Sequence, residues 1–278
     1  MAAPFFPKQA LKFDGALLEE MQGDVSESVA RDLIALAPKI TPGFVIHDNG
    51  CGYGAVTGEI MATNPPSDIK IIGTDKNLGY LAALKKKIAE NPSWSVVEVK
   101  EMDSNNLEFP DATFDLSISD FVILGLNDEI GALRHIWRTL KPGGTGAIGA
   151  WKEKPWQEAL KAAHYRTRGA DTPLPPYMAV VDYTPEQFRS RLNEAEWKNV
   201  QYTDTDAWVK VKSLERWATI AWTFLSTPVG GWKQEDEDNW EKAIAIIVEE
   251  LAKSNAYRAE EGLHMIRMTA TIAIAKKE

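Results

Sequence analysis

The sequence predicts an α/β chain built on a seven-stranded, mostly parallel sheet with an antiparallel last strand and a helical cap. Three observations carry this. Short apolar runs alternate with segments of helical period between residues 41 and 150, the pattern of parallel strands joined by covering helices. The first run, Phe44 to Gly54 (FVIHDNGCGYG), ends in an acid and then sets Gly50, Gly52 and Gly54 at every second position, where backbone can turn sharply and approach a ligand without a Cβ in the way. Asp48, Asp75, Asp103 and Asp120 fall at the ends of successive strands, the edge at which an open parallel sheet holds its ligand.

Residues 1 to 23 carry Phe5, Phe6, Phe13, Leu17 and Leu18 without a settled period and read as an irregular arm or short helices folding over the ligand edge. Asp24 and Glu27 have capping-box spacing, and Val25, Val29, Leu33 and Leu36 then share one helical face that ends near Pro38. After the glycine turn, Ala55 to Thr63 opens a helix, which Asn64, Pro65 and Pro66 stop. Ile69 to Asp75 is the second strand, and Asn77 caps a helix facing inward through Leu78, Leu81, Leu84 and Ile88. Ser95 to Lys100 and Phe114 to Ser119 are the third and fourth strands. A helix from about Asn127 to Leu140 runs into a turn at Lys141, Pro142, Gly143 and Gly144, and the fifth strand is Thr145 to Ala150.

Beyond Trp151 the pattern changes. Thr184, Pro185 and Gln187 give a helix start with cap, proline and capping-box glutamine. Strands at about Val200 to Thr205 and Ile266 to Ala275 complete the sheet, with helices at Leu214 to Leu225 and Glu237 to Leu251 between them. The chain therefore divides into an arm and helix at 1–40, a ligand-binding core at 41–150, and at 151–278 the cap helices with the last two strands.

Eight of the ten Trp residues follow residue 150, so the aromatic surface is concentrated in the cap. The formal net charge of −9, with Lys and Arg scattered, speaks against a nucleic acid. A lone Cys51 cannot form an intramolecular disulfide, and no apolar stretch has signal or membrane-spanning length, so a soluble cytoplasmic protein with no obligate protein partner is expected. Histidines are scattered and no H-x-x-x-H or C-x-x-C occurs, so no metal is expected.

Two nucleotide classes use a glycine turn of this kind. A dinucleotide fingerprint can be written as Gly50, Gly52 and Ala55 with Asp75 as the ribose acid, which would make the chain an NAD(P)-dependent oxidoreductase. Asp48, two residues before the first glycine, has no place in that fingerprint; it could pair with a cationic amino group or fix the turn. The resulting D-x-G-x-G-x-G resembles the first motif of the class I S-adenosylmethionine-dependent methyltransferases. The approach to strand four, FPDATFD from Phe109 to Asp115, and the turn LKPGG from Leu140 to Gly144 are similar to other motifs of that family. The resemblance covers residues 44 to 150. It implies a Rossmann-like fold, S-adenosylmethionine as cofactor, and a first motif in which Asp48, Gly50, Cys51 and Gly52 line the cofactor. Asp75 would hold the ribose hydroxyls, Asp103 with Ser104 would read the adenine amino group, and Lys76, Asp120 and Phe121 would also line the cofactor. The Trp-rich cap and the W-x-x-x-x-W of Trp151 and Trp156 resemble fungal small-molecule methyltransferases of natural-product pathways, including the gliotoxin thiomethyltransferase type.

Methyl transfer to a small, fairly apolar acceptor through sulfur, oxygen or nitrogen is the implied reaction, with a natural-product thiol or hydroxyl favoured. The donor is already reactive, so the protein's work is orientation and water exclusion, with a base where the nucleophile must lose a proton. Trp151, Trp156, Tyr177, Met178, Trp208, Trp222, His264 and Met265 are candidates for the acceptor pocket. Among the histidines, His47 lies inside strand one and reads as core, whereas His164 in the cap is the leading candidate base, with Asp120 its competitor. Cys51 between small residues reads as structural. A methyltransferase fold that binds the cofactor without transfer, as an isomerase or binding protein, uses the same motifs.

Overall fold

A computed structural model describes residues 4–12, 15–180 and 183–278. Phe13 of the expected arm lies outside the described residues. In chain order the elements are α1 (Gly15–Gln22), α2 (Val25–Leu36), β1 (Val45–Asn49), α3 (Ala55–Ala62), β2 (Lys70–Asp75), α4 (Leu78–Glu90), β3 (Val97–Glu101), β4 (Phe114–Asp120), α5 (Glu129–Thr139) and β5 (Leu140–Glu153). They continue with α6 (Pro155–Arg168), α7 (Pro176–Ala179), α8 (Pro185–Glu194), β6 (Gln201–Val211), α9 (Leu214–Leu225), α10 (Gln234–Asp238), α11 (Trp240–Lys253), β7 (Tyr257–Glu260) and β8 (Leu263–Lys276).

The strands form one sheet in the order β3-β2-β1-β4-β5-β8-β6, mostly parallel with antiparallel C-terminal strands. Parallel pairing sets Asp48 beside Gly73 and Ile118, and Asp120 beside Gly149, so the acids do gather along the carboxyl ends of the central strands. Local chemistry accounts for the helix starts. The Asn77 side chain accepts from the N–H groups of Gly79 and Tyr80, and Thr184 and Gln187 form the reciprocal capping box. Asp128 caps α5 by accepting from Gly131 N at 2.8 Å, and a Cβ at Gly131 would fall 2.2 Å from the Asp128 carboxylate and displace the cap.

Three boundaries differ from the sequence reading. Ser95 belongs to a 3-10 turn, Pro92–Val96, which shortens the third strand. The LKPGG segment is a bulge inside β5 rather than a turn before it. Leu140 pairs with Phe114 and Thr145 with Leu116, and the residues between them leave the ladder. β6 is longer than expected, and β7, hairpinned to β8, is not legible because its four residues, YRAE, are too short to establish a period and three of them are exposed.

The chain forms two compact units. One comprises residues 26–152, 183–206 and 269–278 and holds the carboxyl ends of β1, β2 and β4. One core cluster includes Phe114, Ile136, Leu140, Ile148, Phe188 and Trp197, packing α5 and α8 on the sheet. The other unit, residues 1–25, 153–182 and 207–268, is mainly helical, with α11 packed on α6 and α9, and α1 on α9. Among the described residues no helix is long and apolar enough to cross a membrane.

Candidate active site

The glycine turn is held by backbone and by two carboxylates. The amides of Gly50 and Cys51 donate to Thr74 O at 2.7 and 2.8 Å, and Gly52 N donates to the Asp75 carboxylate at 3.0 Å. Gly50 has φ 72°, and a Cβ there would fall 2.3 Å from a Val122 methyl, so glycine is required on both grounds. Asp48, 2% exposed, points into the first turn of α3, where one oxygen accepts from Thr57 N at 3.1 Å and Thr57 Oγ1 at 2.6 Å. Of its two foreseen roles, Asp48 performs the fixing of the turn. Burial raises its carboxyl to about 6 against the pull of the Thr57 bonds. A carboxylate thus already occupies the head of the helix, where a pyrophosphate would have to lie.

Asp75 ends β2 and accepts from Gly52 N and, at 2.8 Å, from Asn77 N, which orients a carboxylate that keeps lone pairs for a further donor. Lys76 beside it is exposed. Asp103 is exposed, with one oxygen turned back to Asn105 N at 2.8 Å. Ser104 departs from the expected role. Its buried hydroxyl donates to Asn49 Oδ1 at 3.0 Å, and Asn49 Nδ2 donates to Ser119 Oγ at 3.0 Å, so Ser104 ties the β3 loop to β1 and β4 instead of facing a ligand. Asn49 was missed by the sequence reading, although its place between the acid and the first glycine was the available signal.

Asp120 ends β4 with a buried Oδ1 that accepts no hydrogen bond. Burial, then the charges of Asp48 and Glu27, push its carboxyl well above the usual range. A Cβ at Gly149 would lie 2.3 Å from that oxygen. The next residue, Phe121, takes φ 58°, a left-handed conformation that costs a bulky side chain energy and is held by its amide bond to Gly149 O at 3.0 Å. Its ring lies flat on Trp151, 3.8 Å between centroids. Cys51 is buried with its thiol pushed up chiefly by that burial, the inert setting expected of a structural thiol. His47 is enclosed between the hydroxyls of Thr74 (2.9 Å) and Ser117 (3.2 Å), and burial lowers it to about 3.

The helical unit holds the remaining candidates, and His164 is corrected there. It is fully buried, Arg168 Nη1 lies 3.0 Å from its Nδ1, and its Nε2 lies 3.1 Å from Thr172 O. With both ring nitrogens engaged it positions Arg168 and has no lone pair to offer a substrate. Arg168 is in turn held by Asp236 at 2.7 Å and lies over the Trp222 and Trp232 rings. Met178 and Trp222, each 1% exposed, are packed side chains rather than the pocket walls expected of them, and Met265 is also buried. Tyr177 stands in solvent, while Trp156 and Trp208 are half-buried beneath Lys154 and Arg258. His264 accepts from or donates to Tyr257 OH at 2.7 Å across the β7–β8 hairpin. Among the described residues no group of three or more His, Cys, Asp or Glu is arranged to hold a metal.

The fold and the glycine turn define a Rossmann-like α/β protein with a buried carboxylate at the head of α3. Residues 47–148 match the methyltransferase-domain family. Over 180 residues the chain is 29% identical to phosphoethanolamine N-methyltransferase of Triticum aestivum, covering 63% of this chain and 32% of that one. It is 26% identical over 143 residues to methyltransferase tpcH of Aspergillus fumigatus, covering 49% of this chain and 50% of the other. It thus spans a third to a half of the length of these relatives. In fold it is similar to Haemonchus contortus phosphoethanolamine N-methyltransferase 2, solved with phosphomonomethylethanolamine and S-adenosylhomocysteine (TM-score 0.55, 16% identity, 94% of this chain and 57% of that chain). Residues 47–148 thus match a methyltransferase-domain model, and the fold is similar to that of methyltransferases of known structure.

Proposed function

We propose that the protein transfers a methyl group from S-adenosylmethionine to a small, fairly apolar acceptor, with a natural-product thiol or hydroxyl favoured over an amine. The observation that carries this is Asp48 at the head of α3. A buried carboxylate there repels a dinucleotide pyrophosphate, and it leaves the glycine turn to a nucleoside that carries no phosphate.

In this reading Gly50, Cys51 and Gly52 give the cofactor backbone to lie against, and Asp75 accepts from the two ribose hydroxyls while Gly52 and Asn77 hold its carboxylate in place. Lys76 lies next to that diol. Asp103 remains the acceptor for the adenine amino group, with Ser104 acting through Asn49. The unpaired Oδ1 of Asp120 suits a donor, and Phe121 on Trp151 forms an apolar wall that excludes water near the reacting methyl. When bound, the cofactor supplies a methyl group on a positively charged sulfur. The acceptor's lone pair forms the new bond to that carbon as the carbon–sulfur bond breaks, and the acceptor's proton leaves to solvent or to a nearby base. Asp120 takes over from His164 as the candidate base, because in its ionised form a carboxylate whose proton affinity is raised by burial and by the charges of Asp48 and Glu27 takes up a proton more readily than an ordinary one. The acidic net charge and one buried cysteine support a reducing, cytoplasmic setting and a small-molecule substrate over nucleic acid.

Calorimetric titration with S-adenosylhomocysteine, NAD and NADP tests the reading. Micromolar binding of the first alone is expected; tight binding of a dinucleotide would overturn it.

A further inference from the structure

At the carboxyl end of β5, one residue beyond Trp151, the sheet unit holds a cavity of about 270 Å³ lined by Lys152, Pro185, Arg189, Tyr202, Asp204 and Thr271. Its chemistry is that of an anion site. Two cationic side chains face one carboxylate, and that carboxylate is already engaged: Asp204 accepts from Lys152 Nζ at 2.5 Å and from Thr271 Oγ1 at 2.7 Å. Arg189 therefore carries the excess positive charge of the lining. Its guanidinium lies over the Tyr202 ring, 4.9 Å from the centroid, which holds the cation at the wall of the cavity. Glu186, the nearest further acid on α8 to act on Arg189, is exposed and outside the lining. Burial raises the Tyr202 phenol above its ordinary value, so at neutral pH it stays protonated and can donate.

From this cavity we infer that the protein binds a small molecule bearing an oxyanion, a phosphomonoester or a carboxylate, with two of its oxygens on the Arg189 fork and Tyr202 as a further donor. A planar fork matches two oxygens of either group, whereas Lys152 is fixed by Asp204 and acts as a point charge at the wall. The cavity lies in the same unit as Asp48, Asp75 and Asp120. Assigning the oxyanion to the methyl acceptor rests on the methyl-transfer reading; the binding site itself does not.

The test titrates the full chain with phenyl phosphate, benzoate and phenol, by calorimetry and by following the Arg189 side-chain N–H signals in 15N NMR. At least one anion is expected to bind ten-fold or more tightly than phenol and to shift those signals. Arg189→Gln should remove that preference, and Arg189→Lys should restore part of it. Tighter binding of phenyl phosphate than of benzoate assigns a phosphomonoester, and the reverse a carboxylate. The inference is overturned if neither anion binds more tightly than phenol, or if Arg189→Gln leaves the preference intact. S-adenosylhomocysteine is titrated alongside: its failure to bind with anion preference retained would sink the methyl-transfer reading and leave the anion site standing.

Discussion

Replacing Asp48 with Asn removes one charge and almost nothing else. Both Thr57 bonds reach the same carboxylate oxygen, so an amide carbonyl can accept both. Burial moves the Asp48 carboxyl from 3.8 to about 6. At about 1.4 kcal/mol per pH unit, keeping this group ionised costs the fold roughly 3 kcal/mol at neutral pH. Because the folded value lies above the unfolded one, that cost is present in full above about pH 6 and fades as pH falls toward 3.8, where both states hold the proton. Asp48→Asn should therefore be more stable than the native protein in urea unfolding at pH 7.5, by about 1 to 3 kcal/mol once the weaker bonds to a neutral acceptor are allowed for. The advantage should shrink by roughly 2 kcal/mol at pH 4.5. A stability difference that is the same at both pH values would mean that Asp48 titrates as an ordinary acid, and would refute the argument that burial at the helix head shapes this site.

Other consequences can be checked independently. Asp75→Ala should weaken S-adenosylhomocysteine binding by about 1 to 3 kcal/mol in calorimetry, through loss of charge-assisted bonds to the diol; unchanged affinity would remove Asp75 from the site. His164→Ala should lower stability by about 2 to 4 kcal/mol in urea unfolding, since Arg168 and the Thr172 carbonyl each lose a buried partner. Full stability with lost activity would restore His164 as a base. His47, lowered to about 3, should show a neutral imidazole by 15N NMR at pH 5, and its neutrality makes the fold lose stability as pH falls below 6.5 toward 3. Gly50→Ala should abolish binding of S-adenosylhomocysteine, because its Cβ meets Val122 in a left-handed backbone; binding within two-fold of native would show that the turn relaxes.

What the sequence determined is the part governed by short-range rules. Apolar runs of strand length, separated by helices with their own caps at Asn77 and Thr184, leave a parallel sheet as the arrangement that buries them all, and the acids at their ends are aligned by the pairing register. The glycine turn was legible for the same reason: left-handed backbone and close approach at Gly50 and Gly54 are properties of single residues. The tertiary structure decided what each polar side chain does once packed. Whether Asp48 meets a ligand or Thr57, whether Ser104 faces outward or bonds Asn49, and whether His164 has a free lone pair depend on neighbours brought from elsewhere in the fold or from the next helical turn. No local pattern encodes those choices, because a buried polar atom takes whichever partner the fold presents, and leaving it unpaired costs more than any local preference.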